Sequence, residues 1–117
     1  MAAPNIVNVS TITGKTAVQA VGTSATAIVT NSAASGKVFK INALYVSNVD
    51  GTANAEVTLD LFRSSTAYRL ANTIVVPADA TLDVISKAIY LEEGDSLRLT
   101  ANVTGDLEAI CSYEEIS

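Results

Sequence analysis

The chain has 117 residues, of which 49% are hydrophobic and 16% are charged, and its formal net charge is −5. This length and composition are typical of one globular domain and not of a disordered segment. It has 7 basic residues, no histidine and one cysteine. It therefore lacks the clustered cations that nucleic acid or anionic lipid needs, and the residues of most zinc sites and of His-based catalysis. We expect no enzyme activity, no catalytic, cofactor or metal site, and no nucleic-acid or membrane partner.

Strand-forming residues dominate the composition. The 13 Val, 9 Ile and 13 Thr residues are stiff at χ1 and favour strands. No stretch shows a sustained helical spacing of apolar residues. Turn signals recur at short intervals and indicate eight to ten strands, which predicts an all-β chain: a single antiparallel β-sandwich of jelly-roll type over residues 1–117. An immunoglobulin-like sandwich is the rival fold, but it usually centres on a core Trp, and this chain has none.

The N-terminal segment, residues 1–10, lacks the basic and apolar regions of a secretory signal, so we expect a protein made and folded in a cytoplasm. Residues 5–10 predict a short strand, residues 13–15 a turn, and residues 16–21 the next strand. Residues 1–10 are thus either an edge strand of the chain's own sheet or an arm that pairs with the sheet edge of a neighbouring subunit.

The longest predicted strand covers residues 37–49, after a strand at residues 25–31 and a loop of small residues at 32–36. Strict alternation places on one face the side chains of Phe39, Ile41, Ala43 and Tyr45. The other face is also apolar in its middle, at Leu44 and Val46. A strand whose middle is apolar on both faces is expected to be central in its sheet and partly covered on its second face.

A hairpin is predicted over residues 38–62, because Asp50-Gly51 suits the positive φ of a type I′ turn. In its second strand, alternation points inward the side chains of Val57, Leu59 and Leu61. The side chains of Glu56 and Asp60 are expected in solvent.

The rest of the chain continues the same pattern. Further strands are predicted over residues 67–70, 72–76, 82–86, 89–91, 96–103 and 107–113. Pro77 ends one of them because it cannot donate a ladder hydrogen bond. Within residues 96–103, the side chains expected inside are Leu97, Leu99 and Ala101. The side chain of Arg98 is expected in solvent.

Three features bear on possible sites. The acidic turn Glu92-Glu93-Gly94-Asp95 has ligands suited to calcium, but its spacing does not match an EF-hand loop, so a solvated hairpin turn is favoured. Cys111 shares a strand face with apolar residues and has no histidine base, which indicates a buried core thiol and not a nucleophile. Four tyrosines suit either an interface or the rim of the core: Tyr45, Tyr68, Tyr90 and Tyr113.

Three runs of sequence carry a family resemblance: residues 36–48 (GKVFKINALYVSN), 89–99 (IYLEEGDSLRL) and 113–116 (YEEI). Together they resemble small structural proteins of tailed bacteriophages, particularly cyanophages, in which short β-sandwich proteins decorate the head or complete the tail. The resemblance implies a virion protein that is assembled in the host cytoplasm and has no catalytic residues.

From this resemblance we expect a head decoration (cement) protein that binds the major capsid protein or another virion protein. We also expect it to form a homo-oligomer, a trimer before a dimer. The alternative is a tail- or fibre-associated sandwich that binds a host-surface glycan. Aromatic residues make up 5% of the chain and include no Trp, which favours the decoration protein.

Overall fold

The computed structural model describes residues 4–117, which form nine β-strands in two antiparallel sheets. The predicted all-β sandwich is confirmed. The strands are β1 (Ile12–Ala20), β2 (Thr26–Thr30), β3 (Val38–Asn48), β4 (Ala55–Arg63), β5 (Thr66–Val76), β6 (Thr81–Asp83), β7 (Ile89–Leu91), β8 (Ser96–Ala101) and β9 (Leu107–Ile116).

The strand order identifies the sandwich as a jelly roll. Sheet A has the order β1-β9-β3, and β6 and β7 both pair with the remaining edge of β3. β7 pairs with the start of β3 and β6 with its end. Sheet B has the order β2-β8-β4-β5. Successive strands of the chain thus alternate between the two sheets, with two exceptions: β4 and β5 form a hairpin in sheet B, and β6 and β7 both lie in sheet A. This arrangement is the predicted jelly roll.

The core lies between the two sheets and is built from alternating strand positions. The largest fully buried side chains in it are Ile41, Leu44, Leu59, Leu91, Leu97, Leu99 and Leu107. The inward positions predicted on β4 and β8 are confirmed as core residues, with Leu61 partly buried at the edge. Cys111 is fully buried among them, as predicted.

The N-terminal region differs from the sequence prediction. A single strand, β1, runs through the predicted turn at residues 13–15, because β9 offers a partner to every residue from Ile12 to Ala20. Residues 5–10 form no strand; they include a turn in which the Asn8 amide donates to the Asn5 carbonyl at 3.0 Å. Residues 1–3 of the predicted arm lie outside the described residues.

A β-bulge divides β3 into two halves with opposite phase. Ile41 pairs with Tyr113 and Ala43 with Ser112, so Asn42 is an extra residue on β3. The predicted face is therefore correct only as far as Ile41. Beyond the bulge Leu44 and Val46 enter the core, and Tyr45 lies on the outside with 45% of its surface exposed.

The predicted hairpin over residues 38–62 is wrong. β3 belongs to sheet A and β4 to sheet B, so the loop between them crosses from one sheet to the other. Gly51 does not have a positive φ, which a type I′ turn would require. The Asp50 carboxylate instead accepts hydrogen bonds from the amide and hydroxyl of Thr52, both at 2.9 Å. Those bonds form an Asx-type turn that suits a crossover.

Asp60 is also placed differently from the prediction, since it is buried with 3% of its surface exposed. It lies on the outer surface of sheet B, directly across from Arg98 of β8. The Arg98 guanidinium binds the carboxylate and covers it, which alternation along a single strand does not reveal.

Candidate interaction surfaces

The outer face of sheet A carries a row of exposed apolar side chains on three neighbouring strands. Val18 of β1 lies opposite Ile110 of β9, and Ile110 lies opposite Tyr45 of β3. Their exposed fractions are 75%, 49% and 45% respectively. We call these three residues the apolar row. Contiguous exposed apolar surface of this kind is typical of an interaction site.

The rows on both sides of the apolar row consist of small side chains, except for the exposed Glu108. One neighbouring row consists of Thr16, Ser112 and Ala43. The other contains Ala20, Glu108 and Ser47. On this second side a shallow cavity of about 380 Å³ is lined by residues of both rows, including Val18 and Ile110 of the first and Ala20, Glu108 and Ser47 of the second. The face therefore presents a ridge with a hollow directly beside it.

The far end of the same face is covered by the chain itself. Val38 and Ile116 lie opposite each other on β3 and β9, on the outer side of sheet A, yet they are only 6% and 5% exposed. Pro4 and Ile6 line a cavity of about 340 Å³ together with Val38. Backbone hydrogen bonds tie Ser117 to Ser10 and Thr11, at 2.7 to 3.0 Å. The segment before β1 thus folds back onto sheet A.

A second exposed apolar region lies along β5, which is an edge strand of sheet B. Its exposed large side chains are Tyr68, Leu70, Ile74 and Val75. The register between β4 and β5 is irregular, and Thr73 has a φ of 49°. Bulged edges are a common protection against strand-to-strand association, so this edge is less suited to pairing than its length suggests.

The acidic turn is an ion cluster with protein donors on each of its three carboxylates. Arg63 Nε donates to Asp95 Oδ1 at 2.7 Å, and Arg63 Nη2 to Glu92 Oε2 at 2.9 Å. Glu93 Oε2 accepts the Gly36 amide at 3.0 Å. In the turn that was considered as a possible calcium site, the guanidinium of Arg63 therefore lies between two of the carboxylates.

The pKa of Asp95 reflects these contacts. Burial of the carboxyl, which is 1% exposed, would raise its pKa. The hydrogen bonds from Arg63 and from the Glu92 amide, with the charge of Arg63, outweigh burial and hold the pKa below its ordinary value. The same pairing raises the pKa of Arg63.

No reactive group emerges from the other residues that the sequence analysis singled out. Burial raises the pKa of the Cys111 thiol to about 11, so it stays protonated near neutral pH. Residues 4–117 contain no group of three or more carboxylate or thiol side chains arranged to hold a metal ion. No helix in this range is long and apolar enough to cross a membrane.

The four tyrosines do not form a common strip. Tyr45 and Tyr90 lie on the outer face of sheet A but far apart: Tyr45 of β3 lies opposite Asp83 of β6, and Tyr90 of β7 lies opposite Lys40 near the start of β3. Tyr68 lies on the β5 edge. Tyr113 is partly buried, with its ring 5.5 Å from that of Phe39. Tyr45 is therefore the tyrosine that belongs to the apolar row.

Two buried asparagines were missed by the sequence analysis. Asn31 is fully buried and donates from Nδ2 to the carbonyls of Lys37 and Leu91, at 2.9 and 3.1 Å. Asn48 donates from Nδ2 to the carbonyls of Ala53 and Val76, both at 2.9 Å. They hold loops at the two ends of β3. Their only sequence signal is a polar residue at the border between a strand and a loop.

The three runs that carry the family resemblance come together in part on sheet A, while residues 96–99 of the second run lie in β8 of sheet B. Lys40, in the first run, lies opposite Tyr90 of the second and Glu114 of the third. Lys37 also forms an ion pair with Glu115, at 3.1 Å between Nζ and Oε1. Residues far apart in the chain thus form one continuous surface beside the apolar row.

Comparisons with known proteins support the fold. No family model matches the chain, and no curated protein matches it. Among solved structures, it is similar to that of disulfide-linked pili that form Bacillus endospore appendages, with a TM-score of 0.52 and 15% identity. That similarity covers 92% of this chain and 88% of the other. At this identity it shows a shared fold.

A weaker likeness is to a pentameric capsid protein from metagenomic phage sequences, with a TM-score of 0.43 and 18% identity. It covers 86% of this chain and 60% of the other. This second likeness does not bear on the fold or the function of the chain.

Proposed function

We propose that this protein is a structural component of a tailed-phage virion, specifically a head decoration protein that binds and stabilises the assembled capsid lattice. The observation that carries the proposal is the apolar row of Val18, Ile110 and Tyr45, which lies exposed on the outside of a closed two-sheet core. A rigid jelly roll with an uncovered apolar surface is suited to act by association. The proposed role involves no catalysis, and residues 1–117 act in it as one unit.

The sequence resemblance supports the virion assignment. Parts of its three runs, around Lys40, Tyr90 and Glu114, lie side by side on sheet A next to the apolar row. The surface that carries the resemblance is thus also one that a partner can reach. The shared fold of the endospore appendage is compatible with a structural role.

Decoration would stabilise a capsid by mass action. A protein that binds only the assembled lattice lowers the free energy of that state and not of free subunits. The proposed partner is the major capsid protein or another virion protein, and the proposed location is the virion after assembly in the host cytoplasm.

The proposed association is non-covalent. The appendage structure that shares this fold is of disulfide-linked pili. Cys111 is the single cysteine of this chain. It is fully buried, so no thiol is available at the surface for an intermolecular disulfide.

Co-sedimentation with phage particles tests the proposal. The purified protein is mixed with empty, expanded capsids of a tailed cyanophage and, in parallel, with isolated tails. We expect saturable binding to capsids and a higher temperature of capsid disassembly. Binding to tails alone would overturn the head assignment, and binding to neither would overturn the virion assignment. Cryo-electron microscopy of the bound particles would then locate the protein on the lattice.

A further inference from the structure

We propose that β1 of one copy of this chain pairs antiparallel with β1 of a second copy, so that the two A sheets join edge to edge about a twofold axis at Thr16. Addition of a strand to an open sheet edge is a common mode of protein association. The contact leaves the outer face of sheet A free, so it goes beyond the proposed function and does not depend on it.

Among the described residues, β1 is the only long sheet edge without a break. The opposite edge of sheet A is formed by β6 and β7, which have three residues each. In sheet B, β2 has a register shift at Ala27, whose carbonyl accepts Gln19 Nε2 at 3.1 Å, and β5 is irregular around Thr73. In contrast, β1 pairs with β9 over nine residues without a shift. Short and bulged edges resist strand addition, so β1 is the edge most open to it.

The free backbone groups of β1 follow from the hydrogen bonds at its two ends. Thr11 and Ser117 exchange two backbone bonds, of 2.9 and 3.0 Å, and the Val21 amide donates to the Leu107 carbonyl at 2.9 Å. Bonded pairs alternate along an antiparallel ladder, so the odd-numbered residues of β1 bond to β9. The amides and carbonyls that point away from β9 belong to Ile12, Gly14, Thr16, Val18 and Ala20. Within residues 4–117 no second strand pairs with them.

A register centred on Thr16 gives every one of these groups a partner. Thr16 then lies opposite its own copy, and all nine residues of β1 are paired. Val18 lies opposite Gly14, where the space that a side chain would fill is open. Ile12 lies opposite the small Ala20. A twofold contact must be complementary to itself, and this strand meets that need because each larger side chain faces a small one.

The single charge on β1 also fits this register. Lys15 is the charged residue of the strand, and its ammonium binds Glu115 at 3.1 Å. A register centred on Lys15 would place it opposite its own copy, and like charges directly opposite destabilise a strand pair. The register centred on Thr16 places Lys15 opposite Ala17 instead.

The carboxylates of the neighbouring strand β9 are kept apart as well. Glu108 lies opposite Ala20 and Glu114 opposite Gly14. In the proposed register these two rows continue into Ile12 and Val18 of the second copy, and the row of Glu115 continues into its Gln19. No two carboxylates of β9 therefore share a row across the contact, although the chain has a net charge of −5.

The pairing makes a dimer, in contrast to the trimer expected from the sequence. Its twofold axis is normal to the joined sheet, because residues of the same face lie opposite each other. Both apolar rows are thus on one side of the dimer. Under the proposed function, the dimer would offer two linked contacts to the capsid, which bind more tightly than one.

Sedimentation equilibrium of the full chain, from micromolar to millimolar concentration, tests the inference. Thr16→Lys sets two like charges opposite each other at the axis and should raise the dissociation constant of the dimer roughly fivefold or more. Thr16→Glu should do the same, and an equimolar mixture of the two variants should restore association. The matched control is Ser112→Lys, at the exposed residue opposite Thr16 on β9. Its two copies would lie three strand spacings apart, about 14 Å, so the dissociation constant should stay unchanged.

Amide hydrogen exchange provides a second measurement on the wild-type protein. The amides of Gly14, Thr16 and Val18 should become protected as the concentration rises, while that of Ala17, which is bonded to β9, is protected throughout. Circular dichroism verifies that each variant folds.

Several results would overturn the inference. They are a wild-type protein that stays monomeric at millimolar concentration, a dimer that Ser112→Lys weakens as much as Thr16→Lys, and a mixture of the two Thr16 variants that does not associate. Protection of the free β1 amides only after capsids are added would assign the edge to a strand of the capsid protein. Because dimerisation is measured without capsids, failure here leaves the proposed function intact, and failure to bind capsids leaves the dimer intact.

Discussion

Arg98 and Asp60 face each other across β8 and β4, and Arg98 Nε donates a hydrogen bond of 2.9 Å to Asp60 Oδ1. The guanidinium carbon also lies 3.9 Å from the ring centroid of Phe62. Asp60 is thereby buried on the outside of a sheet, at a position that alternation assigns to solvent. The cross-strand ion pair and the ring of Phe62 thus form a small packed cluster on the outer face of sheet B.

Replacing Arg98 should destabilise the protein more than replacing the other arginine beside Asp60. Arg98→Met leaves a buried carboxylate without its cation, and we expect a loss of about 2–3 kcal/mol in the free energy of unfolding. Arg69 also lies opposite Asp60, on β5, but it is exposed and forms no ion pair within residues 4–117. Arg69→Met should cost less than about 0.5 kcal/mol. Urea denaturation measures both; equal losses would refute the assignment.

The Asp95–Arg63 pair should make stability depend on pH in the acid range. Because the folded-state pKa of Asp95 lies below its unfolded value of about 3.9, its contribution is fully present above that pH and is lost as pH falls through the folded pKa. Glu115, whose pKa is also lowered, acts in the same direction from about pH 4.3 downward.

Asp95→Asn should therefore reduce the loss of unfolding free energy on acidification. Guanidinium denaturation at pH 6 and at about pH 3 compares the variant with the wild type. The variant should be less stable at pH 6 by about 1–3 kcal/mol, because the charged hydrogen bonds to Arg63 are weakened, and the difference between the two proteins should be smaller at the lower pH. Parallel pH profiles would contradict the prediction.

Asn48 should be among the most sensitive polar positions. Its side chain donates to the carbonyls of Ala53 and Val76 and accepts the Asp50 amide at 2.9 Å. Asn48→Ala leaves buried backbone groups without partners and should cost about 2–3 kcal/mol. Asn54, an exposed residue of the same loop with one hydrogen bond at 3.2 Å to the Ala78 amide, is the control. Asn54→Ala should cost less than about 0.5 kcal/mol, and thermal denaturation would show the difference.

The N-terminal segment should stabilise the sandwich by covering the outer end of sheet A. Deleting residues 1–9 removes Pro4 and Ile6 from beside Val38 and should lower the unfolding free energy by on the order of 2 kcal/mol. Val7 is 90% exposed, so Val7→Asp should be nearly neutral and serves as the control. A truncated protein as stable as the full chain would show that this segment contributes nothing to folding. Binding of a hydrophobic dye by the truncated protein would report the exposed face directly.

Local patterns in the chain were enough to determine the fold class and much of the core. Val57, Leu59 and Leu97 alternate with polar residues, and period-two alternation has one simple structural meaning, a strand with one buried face. Burial of Cys111 followed from the same reasoning. These features depend on residues close to one another in the sequence, so they can be derived without knowing how the strands pair.

Only the tertiary structure decided which strands pair and what lies on the surface. The bulge at Asn42 arises from the register of β3 with β9, more than sixty residues later, and it turns Tyr45 outward to complete the apolar row. The burial of Asp60 depends on Arg98, and the crossover after Asp50 depends on the sheet that β4 joins. Pairing energies between distant strands override local turn and face preferences. The candidate interaction surface therefore could not be predicted from the sequence without knowing how the strands pair.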